Sequence, residues 1–172
     1  MYKDIITGLI NSANTKKNLL EDSLFKYLLA SVVAGFFIGL GILIMTLSAG
    51  TFSSLPIPVV KFINGSVFSL ALSFVVFAGG ELFTGNVLVT SIGRLNKKID
   101  TASLLKILIF SYLGNLLGSI LISYLFKMTG VSPEYNEALF KLATGKTSFD
   151  FLPLLFKGIM CNILVCLEVL IC

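Results

Sequence analysis

Long stretches without charged residues constrain the fold of this chain more than any other feature. They lie between Lys26 and Lys61, from Phe62 to Gly80 and from Ile107 to Phe126, and a further apolar run begins at Phe151. An α-helix needs roughly 20 apolar residues to cross the hydrocarbon core of a bilayer. Only 13% of the 172 residues are charged, which is low for a soluble domain. The sequence therefore predicts an all-α, multi-pass membrane protein in contact with the lipid bilayer.

The hydrophobic pattern divides the chain into two parts. Residues 1–22 are predicted to form an amphipathic N-terminal helix, because its apolar residues recur at helical spacing. This helix lies either on the membrane surface or docked on the bundle, and the sequence favours neither. Residues 23–172 form the predicted membrane domain, with spans at about 27–49, 59–93, 103–127 and 151–172. The segment Thr129–Asp150 is predicted to be a polar loop.

Basic residues predict the orientation of the spans. Four lysines precede the first span, and Arg94 opens a basic segment between the second and third spans. The first loop contains only Lys61, and the third loop mixes basic and acidic residues. Cytoplasmic loops of membrane proteins carry the excess of lysine and arginine. We therefore expect a cytoplasmic N-terminus and, in a bacterial cell, insertion into the inner membrane.

Small residues predict close packing of the spans. Gly35 and Gly39 form one small-xxx-small pair in the first span, and Gly114 and Gly118 form another in the third. Such pairs let helix backbones approach each other in lipid. The three cysteines all fall in the last span, where we interpret them as apolar packing residues rather than as disulfide or metal ligands. We expect neither a metal ion nor a cofactor.

The second hydrophobic region is predicted to be interrupted near residues 79–86. Three glycines, Glu81 and a Thr84–Asn86 pair fall inside it. Each glycine weakens a helix by about 1 kcal/mol relative to alanine, and a lipid-facing carboxylate costs about 2.5 kcal/mol or more. Irregular backbone at this depth persists only when it is buried in protein or lines a cavity. The alternative is a glycine-rich kink that only eases helix packing, and the accompanying polar side chains favour a functional break instead.

Four segments of the chain resemble the formate/nitrite transporter family. The segment from Gly80 to Asn86, Gly-Glu-Leu-Phe-Thr-Gly-Asn, resembles the signature of that family. The segments Asn64–Leu70, Tyr112–Gly118 and Gly158–Leu167 resemble further motifs of the family, in the same order along the chain. Within the family, the sequence most resembles the hydrosulfide channel branch.

The resemblance implies a fold and a function. The expected fold is an aquaporin-like helix bundle of two inverted repeats with a broken second helix, and five protomers form a ring in which each has its own pore. The expected function is a channel for small monovalent anions such as hydrosulfide, formate or nitrite. Carried over by motif, the pore and substrate path comprise Phe68, Leu72, Leu82, Phe83, Thr84, Lys146 and Asn162. Leu72 and Leu82 would narrow the pore on the cytoplasmic side and Phe68 on the outer side, with Thr84 at the centre.

The chain departs from the family pattern in one respect. The family has a pore histidine on its fifth helix, and this sequence contains no histidine. We expect the sequence to be an incomplete portion of a longer protein, with the N-terminal four of six spans. A naturally short form without histidine is the alternative.

Two other function classes are alternatives to a channel. An intramembrane enzyme needs a cluster of His, Asp or Cys side chains around one cavity, whereas the acids here, Glu81 and Glu168, lie far apart in sequence. A structural or scaffold membrane protein would explain the glycine pairs but not the polar break. We therefore expect no enzymatic activity, and the net charge of +4 reflects orientation rather than nucleic-acid binding.

Overall fold

The computed structural model describes residues 2–130 and 132–171, which form seven α-helices. In chain order these are α1 (Tyr2–Asp22), α2 (Leu24–Thr51), α3 (Ile57–Phe77), α4 (Phe83–Leu95), α5 (Thr101–Met128), α6 (Pro133–Thr147) and α7 (Phe151–Ile171). Within these residues, α2, α3, α5 and α7 are long and apolar enough to cross a membrane. The predicted all-helical fold with four spans is confirmed.

Helices α2 and α5 form the centre of the bundle, and their glycines are the points of contact. A methyl group added at Gly35 would collide with the backbone of Asn115, and one added at Gly118 would collide with the carbonyl oxygen of Val32. Gly114 likewise faces Ser31. The glycines of both predicted pairs therefore face the opposite helix and set the distance between α2 and α5.

Helix α1 is docked on the bundle by a buried stripe. Leu9 and Ala13 pack with Val89 of α4 and with Ile99, and Leu20 packs with the α2–α5 pair. The N-terminal residues Ile5 and Ile6 of α1 remain exposed. Of the two arrangements that the sequence left open, the structure shows the docked one for the C-terminal part of α1.

The second hydrophobic region is divided into α3 and α4 by a short break, residues 78–82. Gly79 has a φ of +64°, a left-handed conformation in which glycine is favoured. The amide of Gly80 donates to the carbonyl of Val75 at 2.8 Å, and the amide of Gly79 donates to Val76 at 3.1 Å. These two bonds form a Schellman motif, which ends α3 while satisfying its last carbonyls.

The break is narrower than the predicted range of 79–86, because α4 begins at Phe83. Gly85 and Asn86 are buried helical residues, which the sequence assigned to the interruption. The intrinsic cost of glycine in a helix is small compared with the gain from close packing, and Gly85 lies where α4 meets Val169 of α7. The side chain of Asn86 is held by hydrogen bonds described below.

The polar segment between the third and fourth spans contains a helix that was not predicted. α6 occupies most of the predicted loop Thr129–Asp150, and it starts with Pro133 in its first turn after Ser132. Proline in the first turn is a recognised helix start, because its missing amide would have no intrahelical partner there. The prediction of a loop is wrong, because an exposed helix is as polar as an irregular loop and polarity does not distinguish the two.

Candidate functional site

The break carries a buried ion pair that joins it to α1. Glu81 is 6% exposed, and Lys16 of α1 donates to both of its carboxylate oxygens at 2.9 Å. The side-chain amide of Asn86 donates to the second oxygen at 2.9 Å. Removal of two charges from water is costly unless they are paired and fully hydrogen-bonded, and the Glu81 carboxylate meets both conditions.

The same network extends into the centre of the bundle. The amide of Asn86 also donates to the hydroxyl oxygen of Tyr27 at 3.0 Å, and this hydroxyl donates to the carbonyl of Ile107 at 3.3 Å. Tyr27, Ile107 and Asn86 are almost completely buried. The polar groups of the break are thus connected through α4 and α2 to α5, so the break is fixed from several helices at once.

Asn115 of α5 holds the backbone of the break directly. Its side-chain oxygen accepts from the amide of Phe83 at 2.9 Å, and its side-chain nitrogen donates to the carbonyls of Glu81 at 3.0 Å and Ser31 at 2.8 Å. The amide of Glu81 donates to the carbonyl of Ala30 at 3.2 Å. Irregular backbone inside a membrane bundle requires such internal partners, because lipid offers none.

A cavity of about 340 Å³, here named the Glu81 cavity, opens beside the break. Its wall includes Lys16, Leu72, Glu81, Leu82 and Glu168. Residues of α1, α3, the break, α4 and α7 line it, and they combine apolar side chains with three ionisable ones. The structure brings together two of the predicted constriction residues, Leu72 and Leu82, at this cavity.

A second cavity of about 350 Å³, here named the Thr84 cavity, lies on the α2–α5 side of the break. Leu82, Phe83 and Thr84 line it together with Asn115 and Tyr112, whose ring contacts Phe83 edge-on with centroids 5.7 Å apart. Leu82 borders both cavities. Within the described residues the Thr84 hydroxyl makes no hydrogen bond. Leu82 at the N-cap position of α4 offers no side-chain acceptor, and Asn115 is bonded to the first amide of the helix, that of Phe83.

The remaining predicted site residues lie elsewhere. Phe68 packs near Gly41 of α2 and lines neither cavity. Lys146 is exposed in the last turn of α6. Asn162 lies on α7, and its side-chain oxygen accepts from the thiol of Cys166 at 3.2 Å. The described residues therefore do not bring these three side chains together with Thr84.

Sequence reasoning missed two residues that the structure places at the break. Lys16 lies at helical spacing between Ala13 and Leu20, which with Leu9 form the buried stripe of α1, so the sequence indicates that its side chain faces the bundle. Asn115 was recognised only as part of a motif. Its amide lies between the paired glycines of a membrane span, and a polar side chain at such a position usually bonds across helices.

These features define a class of protein. A bundle of apolar helices whose second span is interrupted, with buried polar groups around the interruption, is typical of membrane channels and transporters. The chain belongs to the formate/nitrite transporter family, because the sequence model of that family matches residues 3–172. It is therefore a multi-pass membrane protein of a family of channels and transporters rather than of enzymes.

Relatives of known sequence agree with this assignment. YwcJ of Bacillus subtilis (strain 168), described as an uncharacterized transporter, is 34% identical over 88% of this chain and 60% of its own length. The nitrite transporter NirC of Escherichia coli (strain K12) is 34% identical over 51% of this chain and 33% of its own length. The chain thus spans 60% of YwcJ and a smaller share of NirC.

A solved structure described as an FNT family ion channel has the same fold. It superposes with a TM-score of 0.89 at 30% sequence identity, covering 98% of this chain and 68% of that one. The relatives named above are an uncharacterized transporter and a nitrite transporter, so they give no support for the hydrosulfide branch over the rest of the family.

Proposed function

We propose that the protein conducts small monovalent anions, such as nitrite, formate or hydrosulfide, across the cell membrane. The observation that carries the proposal is the break, where the Thr84 hydroxyl and the amides of Thr84 and Gly85, in the first turn of α4, have no hydrogen-bond partner among the described residues. A hydroxyl donor and free helical amides suit an anion, because the helix dipole adds a partial positive charge there. The nitrite transporter NirC, a relative, supports the same substrate class.

The proposed architecture has an aquaporin-like arrangement of two inverted repeats, with one pore in each protomer of a homopentamer. The chain would supply one interrupted span, and a second repeat would supply its counterpart. The N-terminus would be cytoplasmic, as the distribution of lysine and arginine favours. Leu72 and Leu82, which share the Glu81 cavity, would form the cytoplasmic constriction, and Phe68 the outer one.

In such a pore, the cost of removing water from the anion is offset by hydrogen-bond donors and cations along the path. Apolar constrictions strip water from an anion at a high cost. Hydrogen-bond donors such as Thr84, and cations such as Lys146 near the outer mouth, lower that cost for small monovalent anions. Phe83 beside Thr84 and Asn162 on α7 complete the proposed path.

Anion flux into liposomes tests the proposal. The complete protein is expected to pass nitrite, formate or hydrosulfide and to exclude large organic anions. Thr84→Val keeps the shape of the side chain but deletes its donor, and we expect it to lower flux about tenfold, the loss of one hydrogen bond to a charged group. Thr84→Ser, which retains the hydroxyl, is the matched control.

Two outcomes would contradict the proposal. Correctly folded wild-type protein that moves none of the three anions would exclude conduction and leave a scaffold role. Equal flux through the wild type, the valine variant and the serine variant would show that the break serves only the fold, and Thr84 would then have no part in the anion path.

A further inference from the structure

Helix α7 brings a carboxylate to the Glu81 cavity. Three of its residues at helical spacing, Val165, Glu168 and Val169, line the cavity. Glu168 is partly buried, and it makes no hydrogen bond or ion pair with any residue that the structure describes. The other charged residue of α7, Lys157, lies about three turns away over the ring of Phe149.

The other charges of the cavity compensate each other. Lys16 from α1 donates to both oxygens of Glu81, so this pair contributes little net charge. Helix α4, against which α7 packs, brings no charged side chain to the cavity wall, since Arg94 lies at its exposed end and donates to Thr101. The cavity wall therefore carries one uncompensated charge, that of Glu168.

We propose that Glu168 restrains the entry of anions into the Glu81 cavity and relaxes this restraint when it is protonated. An ionised carboxylate in the wall repels an anion that enters, and the repulsion is stronger there than in bulk water because part of the surroundings is protein. A proton on Glu168 removes the charge, so the residue tunes anion conductance to pH. This inference rests on the proposed function and assigns a specificity-determining residue to the same path.

Nitrite flux into liposomes at different pH values tests the role of Glu168. Nitrite is the anion of an acid stronger than a glutamate side chain, so it stays ionised across the titration of Glu168. At about pH 8, Glu168→Gln is expected to raise nitrite flux about fivefold over the wild type. This factor corresponds to the repulsion between an anion and one unit charge roughly 8 Å away, in a medium whose dielectric constant lies between those of protein and water. The ratio is expected to fall towards one as the pH is lowered and Glu168 of the wild type takes up a proton.

Two control variants separate the charge effect from structural damage. Glu168→Asp retains the carboxylate and is expected to keep the wild-type pH profile. Glu21→Gln removes the same charge from an exposed position of α1, outside the cavity, and is expected to leave flux unchanged at every pH. Gel filtration of each variant shows whether it is folded.

The outcomes distinguish this inference from the proposed function. If the wild type passes nitrite but folded Glu168→Gln has the same flux and pH profile, the role of Glu168 is refuted while the channel stands. Lower flux in Glu168→Gln than in the wild type also refutes it, because the carboxylate would then assist conduction. If the wild type passes no anion at all, the proposed function itself fails.

Discussion

Asn115 is the side chain on which the geometry of the break depends most directly. Its side-chain amide makes three hydrogen bonds: it accepts one from the backbone amide of Phe83 and donates one each to the carbonyls of Glu81 and Ser31. Asn115→Ala removes all three and leaves the amide of Phe83 and the carbonyl of Glu81 without this partner inside the bundle. We therefore expect Asn115→Ala to destabilise the protein more than any exposed polar substitution.

The size of the effect follows from the number of hydrogen bonds. A protein hydrogen bond contributes about 0.5–1.5 kcal/mol net, and interhelical ones in membranes average about 0.6 kcal/mol. Three bonds lost together give about 2–4 kcal/mol. For a chain of this size, 1 kcal/mol corresponds to roughly 2–4 °C, so the expected decrease in melting temperature is about 4–16 °C.

Thermal stability in detergent can be measured by gel filtration after heating in steps. Asn136→Ala is the matched control, because Asn136 is exposed on α6 and bonds no described residue through its side chain. Asn115→Asp retains the acceptor for Phe83 but loses both donors, and it is expected to melt at least as early as Asn115→Ala. Melting of Asn115→Ala within about 1 °C of the control would refute the argument, since the break would then be held by other contacts.

Three further substitutions test the packing, the ion pair and a helix cap. Gly118→Ala places a methyl group against α2 and is expected to cost about 2 kcal/mol, whereas Gly145→Ala, which has open space around it, is neutral or slightly stabilising. Lys16→Ala leaves Glu81 buried without its cation and is expected to cost about 3 kcal/mol, of which the double variant with Glu81→Gln regains a part. Asp100 is the N-cap residue of α5, and the Ser103 hydroxyl that donates to its carboxylate holds the pKa of Asp100 below its ordinary value. Ser103→Ala removes this hydroxyl. Because that depressed pKa stabilises the fold only while the carboxylate is ionised, the loss of melting temperature is expected at neutral pH and shrinks as the pH falls through the depressed pKa.

Each of these predictions can fail in a specific way. Equal melting temperatures for Gly118→Ala and Gly145→Ala would show that α2 and α5 tolerate separation. A double variant of Lys16 and Glu81 no more stable than Lys16→Ala would mean that the uncompensated carboxylate is not the source of the loss. A pH-independent difference for Ser103→Ala would exclude linkage to the titration of the cap.

The spans were predictable from sequence because long apolar runs without charge have few alternatives to a membrane helix. The predicted first span of about 27–49 corresponds to Leu24–Thr51, and the third, about 103–127, to Thr101–Met128. The break was predictable from Gly79 and Gly80, which form its Schellman motif. The residue at which the break ends was not predictable, because tertiary packing places Gly85 in a helix against the intrinsic preference of glycine.

The contacts of the site were less predictable than its position. Lys16 and Glu81 are 65 positions apart, and hydrophobic periodicity contains no information about which charged residues meet. Lys146 and Phe68 were selected by resemblance, and the described residues place them away from the two cavities of the break. Their roles in an anion path stay predictions.

The dependence of the break on Asn115 has a consequence for biosynthesis. The backbone of the second span is completed by a side chain from α5, a helix that the ribosome makes later. While the nascent chain ends before Thr101, the carbonyl of Glu81 and the amide of Phe83 lack these partners. We expect the second span to reach its final conformation only after Met128 has been synthesised and α5 has inserted. Protease protection of nascent chains halted before and after α5 would reveal this order.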